Sequence, residues 1–118
     1  MILIRAIVRP EKTDAVLTAL KEAGFPAVTK FSVAGRGKQR GIKIGDITYD
    51  EITKELLMIA VHNSEKDFAI KTIMQAARTG EKGAFGDGKI FLTELEEIYT
   101  ISTGEKESDE EVAEGAKP

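Results

Sequence analysis

Two stretches constrain this chain more than any others: "ILIRAIV" at residues 2–8 and "ELLMIAV" at residues 55–61. Both are apolar almost throughout, as strands buried on both faces are. A helix signal follows each. After the first, Pro10 stands where a helix starts, and Glu11 suits the positive end of its dipole. Val16, Leu17, Leu20 and Ala23 recur at helical spacing, and Gly24 is placed to end the helix. After the second, Ser64 and Asp67 are spaced as a capping box. Ala69, Ile70, Ile73, Met74 and Ala77 then form one apolar face that stops near Gly80. Each helix leads to another strand. Residues 25–33 alternate Ala27, Thr29 and Phe31 against Val28 and Lys30, and "KIFLTEL" fills residues 89–95. Residues 97–102 read as a short extra strand. Strand–helix–strand, repeated, is the α+β ferredoxin-like βαββαβ sandwich. Its first and third strands are central, and its two helices cover one face of the sheet. Central strands that are apolar on both faces need the second face covered too, so the pattern predicts a homo-oligomer.

The remaining numbers bound the function. At 118 residues the chain is one domain. It has no cysteine, which removes disulfides, thiolate chemistry and cysteine-based zinc sites. A net charge of −3 argues against a nucleic-acid binder driven by phosphate neutralisation. No apolar run approaches the roughly 20 residues of a membrane span, and "MILIRAIVRP" is too short and strand-like for a signal peptide. We therefore expect a cytoplasmic protein with no nucleic-acid partner and no membrane insertion. Residues 1–104 read as the domain. Residues 35–53 lose their period and carry four glycines with basic residues between them, as a mobile functional loop does. Residues 105–118 are acidic and polar and read as a disordered tail.

Four features could carry chemistry. "GAFGDGKI", residues 83–90, has the G-x-x-x-x-G-K spacing of a phosphate-binding P-loop, with Ile90 where Ser or Thr should hold magnesium. A working P-loop lies after a strand and before a helix, whereas this one lies after a helix and before a strand. It is either a main-chain anion cradle with one lysine or a plain turn. "GRGKQRG", residues 35–41, lacks the third glycine of a dinucleotide fingerprint and by itself reads as a solvated basic loop. His62 is the only histidine and reads as the end of the third strand. Asp87 beside Lys89 could be catalytic, but an aspartate in a turn is more commonly structural. Nothing demands an enzyme.

"GRGKQRG", the lysine of "TKELLMIAV", "ARTG…GDGKIF" and the terminal "TG" together resemble the PII nitrogen-regulatory proteins, over residues 2–104. "RAIVRPEKT", the "YDE" in a short loop and "ARTGEKGAFGDGKIF" followed by "EEIYTIS" resemble the nitrogenase-associated subgroup of archaea and anaerobic bacteria. The resemblance implies a ferredoxin-like homotrimer with its sheets turned inward, binding ATP or ADP in clefts between subunits. It implies a phosphate-side loop of Gly86, Asp87, Gly88 and Lys89, with Ile7, Thr29, Met58 and Ala60 near the adenine and ribose. Gly35, Arg36, Gly37 and Lys38 would open the long loop and approach the phosphates, and Arg40 and Gly41 would belong to the same ligand site. Gln39 would help hold Mg2+, which 2-oxoglutarate chelates beside ATP, and Lys54 would pair with a 2-oxoglutarate carboxylate. The function implied is a non-enzymatic sensor whose loop inhibits nitrogenase when nitrogen is sufficient, with a paralogous PII subunit joining the complex. Other readings are regulation of an ammonium channel or glutamine synthetase, or a small phosphotransferase or ATPase. The chain departs from the family's common pattern, and its long loop is about four residues shorter than the enterobacterial type. Thr100 and Ser102 stand where two arginines usually contact phosphate, Met58 replaces a frequent Glu, and the glycine loop carries about three extra residues in "EKGAF". Tyr49 is out of register with the tyrosine that relatives uridylylate, so that modification is not expected.

Overall fold

The structure is a computed structural model. It describes residues 1–36 and 51–107, together with the backbone of residues 42–44 and 47–49. The elements, in chain order, are β1 (Ile2–Val8), α1 (Thr13–Glu22), β2 (Thr29–Gly35), β3 (Ile42–Ile44), β4 (Ile47–Tyr49), β5 (Ile52–Val61), α2 (Lys66–Ala77) and β6 (Gly88–Glu94). Four strands form one antiparallel sheet in the order β2-β5-β1-β6. The two apolar runs are its central strands, as their patterning predicts.

Alternation on those strands divides the sheet into two faces. Ile4, Ala6 and Val8 of β1 and Leu57, Ile59 and Val61 of β5 are buried beneath the helices. They pack with Val16 and Leu20 of α1 and with Ala69, Ile73 and Ala77 of α2. The intervening residues point the other way. Leu3, Arg5 and Ile7 of β1 lie in register with Ala60, Met58 and Leu56 of β5. Phe31 of β2 and Phe91 of β6 flank them, 43% and 47% exposed. No helix of the chain covers this second face among the described residues.

Several local expectations are corrected. The second strand begins at Thr29, not at residue 25. Phe25 instead closes α1: its N–H bonds the Leu20 carbonyl at 2.7 Å, and Gly24, at φ 98°, bonds the Lys21 carbonyl at 3.1 Å. That is a Schellman ending with its apolar contact, and the Phe25 ring sits 6.0 Å from Phe68. Pro26 next to it has no N–H to give to a ladder. The Ser64–Asp67 capping box does not form. His62 caps the turn ahead of α2, its Nδ1 accepting from the Ser64 N–H at 3.1 Å. So His62 ends β5 and also starts the next element.

Residues 97–102 are not a strand. Gly104 N–H bonds the Thr100 carbonyl at 2.8 Å and reverses the chain, leaving one bridge between Tyr99 and Lys106. Glu105 and Glu107 are tied back to Thr100 and Ile98. The remainder of the expected tail, from residue 108, lies outside the described residues. The expected loop 35–53 is also partly regular. Gly35 ends β2, Ile52 and Thr53 begin β5, and β3 pairs with β4 in register Ile42↔Tyr49 to Ile44↔Ile47. Tyr49 belongs to that ribbon.

Candidate functional site

β5 is ten residues long and outruns its neighbour β1. The last β1 residue, Val8, is opposite Glu55, so Ile52, Thr53 and Lys54 extend beyond it and pair with β2 alone. β6 begins at this same end, with Gly88 opposite Val8 and Lys89 opposite Ile7. The glycine loop between α2 and β6 therefore folds onto the overhang. Ile90 is the third residue of β6 and pairs with Ala6, so the P-loop spacing ends inside a strand. As expected, the loop lies after a helix and before a strand.

Asp87 organises this loop. Its Oδ1 accepts from Arg9 Nε at 3.0 Å and from the Thr79 hydroxyl at 2.6 Å. Its Oδ2 accepts from the backbone N–H groups of Thr79 at 3.1 Å and Ala84 at 2.8 Å. Four donors occupy the roughly four lone-pair sites of the carboxylate. The Thr79 hydroxyl and the Ala84 and Thr79 N–H groups hold its carboxyl well below the usual carboxylate range, with the Arg9 bond adding to them. Asp87 is thus the loop's keystone and has no acceptor capacity to spare for general base work.

Arg9 also donates through Nη2 to the Phe85 carbonyl at 2.6 Å. The Lys54 ammonium donates to the Gly86 carbonyl. Burial lowers the Lys54 pKa from its ordinary value, and the neighbouring Arg9 charge lowers it further, against the pull of Glu11 and Asp87. Two cations thus converge on one residue. A Cβ built on Gly86 would lie 3.2 Å from Arg9 Nη2 and 3.5 Å from Lys54 Nζ. Beside the loop, a shallow groove of about 200 Å³ runs between α2 and β6. It is lined by Ile7, Ile73, Met74, Arg78, Gly88 and Lys89 among others.

The expected site residues separate into two groups within one chain. Ile7, Gly35, Lys54, Gly86, Asp87, Gly88 and Lys89 gather at the overhanging end, and Arg36 follows Gly35 directly. Thr29, Met58 and Ala60 do not join them. Met58 is opposite Thr29 and Arg5, and Ala60 is opposite Leu3. Met58 is four strand residues from Lys54, roughly 13 Å. Gly37, Lys38, Gln39, Arg40 and Gly41 lie outside the described residues. No cluster of three or more potential metal ligands occurs among the described residues.

Sequence reading missed Arg9 and Thr79 as loop anchors. A signal for Arg9 was present: a residue before proline is pushed to extended backbone, and Arg9 sits at φ −64°, ψ 140°, carrying its side chain past the strand end. Thr79 gave none, because its role depends on how the loop folds back. Thr100, at one of the missing arginine positions, donates its hydroxyl to Glu107 at 2.9 Å.

Comparison with known proteins identifies the family. A family model described as nitrogen regulatory protein P-II matches residues 1–105. A nitrogen fixation nifHD1 region GlnB-like protein 1 of Methanosarcina barkeri is 52% identical over 104 residues, covering 88% of this chain and 96% of the relative. A nifHD region counterpart from Methanothermococcus thermolithotrophicus is 50% identical, covering 89% and 97%. The crystal structure of Arabidopsis thaliana PII bound to citrate superposes with a TM-score of 0.72 at 32% identity, covering 90% of this chain and 84% of that one. The chain belongs to the P-II nitrogen regulatory family, among relatives named for nitrogen-fixation gene regions.

Proposed function

We propose that this protein is a non-enzymatic sensor that binds ATP or ADP, with Mg2+ and 2-oxoglutarate, in clefts between the subunits of a homotrimer. The observation that carries the reading is the meeting of Lys54 with the glycine loop at one end of the sheet. A carboxylate needs a fixed cation, and a phosphate needs main-chain N–H groups and a lysine. Lys54, Lys89 and the glycine-loop backbone lie at this one end, which supports the reading. The citrate bound by the Arabidopsis relative is carboxylate chemistry of the same kind. Gln39 would add a magnesium ligand from the long loop.

The separation of Thr29, Met58 and Ala60 from the glycine loop supports a cleft between subunits, since a second copy can supply one group to complete the other. The uncovered sheet face favours the same assembly, because exposed apolar side chains grouped on one face, here with Phe31 and Phe91, mark contact surfaces. Phe91→Glu would place a charge on that face, at a side chain 47% exposed in the single chain. We expect it to reduce the mass seen by sedimentation from three chains to one. A wild-type chain that sediments as a monomer contradicts the trimer.

The ligands would act by binding one conformation of loop 35–53 more tightly than another. That loop would hold or release a target. The nif-region names of the relatives favour nitrogenase, inhibited when 2-oxoglutarate is low, with a paralogous PII subunit joining the complex. The test is calorimetry with 2-oxoglutarate, in the presence and absence of Mg-ATP. Binding should require Mg-ATP, and 2-oxoglutarate that binds equally well without it overturns the mechanism. Lys54→Ala should weaken 2-oxoglutarate tenfold or more, on the scale of a lost charged hydrogen bond, and ATP far less. Equal losses would contradict the role given to Lys54.

A further inference from the structure

The seat assigned to a ligand carboxylate at Lys54 is filled by a group of the chain itself. The Lys54 ammonium donates to the Gly86 carbonyl, a main-chain oxygen in the place a ligand oxygen would take. That carbonyl is kept there by a set of tethers. Arg9 holds the preceding carbonyl, that of Phe85. Asp87, the residue after Gly86, is held by Arg9, Thr79 and Ala84. Both neighbours of Gly86 are pinned, and its carbonyl is directed at the amine. Holding two cations this close is unfavourable in itself, and Asp87 with the two carbonyls offsets it.

We propose that the Gly86 carbonyl must leave Lys54 before an anionic ligand can take it, and that Arg9 and Thr79 are positioning residues that set the cost of this exchange. The inference rests on the reading of Lys54 as a carboxylate seat. Its consequence is that the glycine loop responds to the ligand as well as the long loop does. The part that would report this is Phe85, whose side chain is 78% exposed while its carbonyl is tied to Arg9. When Gly86 leaves Lys54, Phe85 is the residue carried with it.

Two experiments test this, one without ligand. In Lys54→Ala the latch is gone, so the Ala84 and Asp87 amides, which bond within the loop, should exchange with deuterium several-fold faster than in the wild type. Unchanged exchange there overturns the latch and leaves the sensor reading intact. In the second, Phe85→Trp supplies a reporter in the full-length chain loaded with Mg-ATP. Adding 2-oxoglutarate should shift Trp emission in step with the calorimetric binding curve. Thr79→Val, which removes one tether without changing charge, should raise 2-oxoglutarate affinity roughly threefold to tenfold, the scale of one hydrogen bond. Normal heat of binding with silent emission, or weaker 2-oxoglutarate binding in Thr79→Val, overturns the inference alone. Absence of any 2-oxoglutarate binding removes the sensor reading and this inference together.

Discussion

Gly88→Ala should destabilise the fold by about 4 kcal/mol, in the range reserved for substitutions that force backbone apart. Gly88 opens β6 at φ 117°, a conformation that side chains rarely adopt. The larger problem is space. A Cβ there would lie 1.7 Å from the Ile7 carbonyl oxygen and 2.8 Å from its carbonyl carbon. Both atoms are backbone of a central strand and cannot swing aside. β6 would have to part from β1 at its first two residue pairs, where the glycine loop is anchored. Gly24→Ala is the control. Gly24 also has positive φ, but nothing lies within 4 Å of its Cβ position. It should cost only the left-handed penalty, about 1–2 kcal/mol. Urea denaturation of the two variants separates strain from collision. Equal losses would mean that the close approach of β1 and β6 is unimportant.

Asp87→Asn should weaken ATP binding roughly tenfold or more while the sheet stays folded, because the loss falls on charge-assisted bonds that shape the loop. The substitution is not conservative at this site. Both carboxylate oxygens face donors: Arg9 Nε and the Thr79 hydroxyl on one side, two backbone N–H groups on the other. An amide must turn its NH2 toward one of those pairs. Calorimetry measures the loss, and wild-type affinity in this variant would remove Asp87 from the proposed phosphate site. The same carboxylate predicts a pH response. Its folded pKa is depressed below the ordinary aspartate value of roughly 3.9. Its contribution to stability is therefore complete above that value, and is lost as pH falls below it toward the depressed folded pKa. Acid unfolding of Asp87→Asn should be less steep in this range than that of the wild type.

The sheet was legible because burial dictates it. Strands apolar on both faces, "ILIRAIV" and "ELLMIAV", can only be central, and the helical spacing after each supplies the layer above. Boundaries were less legible where a residue serves a neighbouring element. Phe25 alternates with strand residues, yet it is spent on closing α1. Ser64 and Asp67 have capping-box spacing, but the imidazole of His62 reaches the Ser64 N–H first. The glycine loop was visible as glycines, and its polarity in the chain ruled out a P-loop. The arrangement that closes it was not visible, because Arg9 and Asp87 are 78 residues apart and only the sheet register brings them together. Likewise, alternation places Met58 on the open face, but only the strand pairing shows how far it stands from Lys54.

The bond from Thr79 to Asp87 has one more consequence. It closes residues 79–87 at the base, so that the segment between them is a cassette with a fixed stem. Extra residues at its tip, around Glu81 and Lys82, change neither where Asp87 sits nor how Gly88 enters the sheet. The tip can then diverge under selection for a new partner without disturbing the stem. The same property makes Glu81 and Lys82, which take no part in the bonds to Asp87, the place to graft a tag or an epitope in this protein.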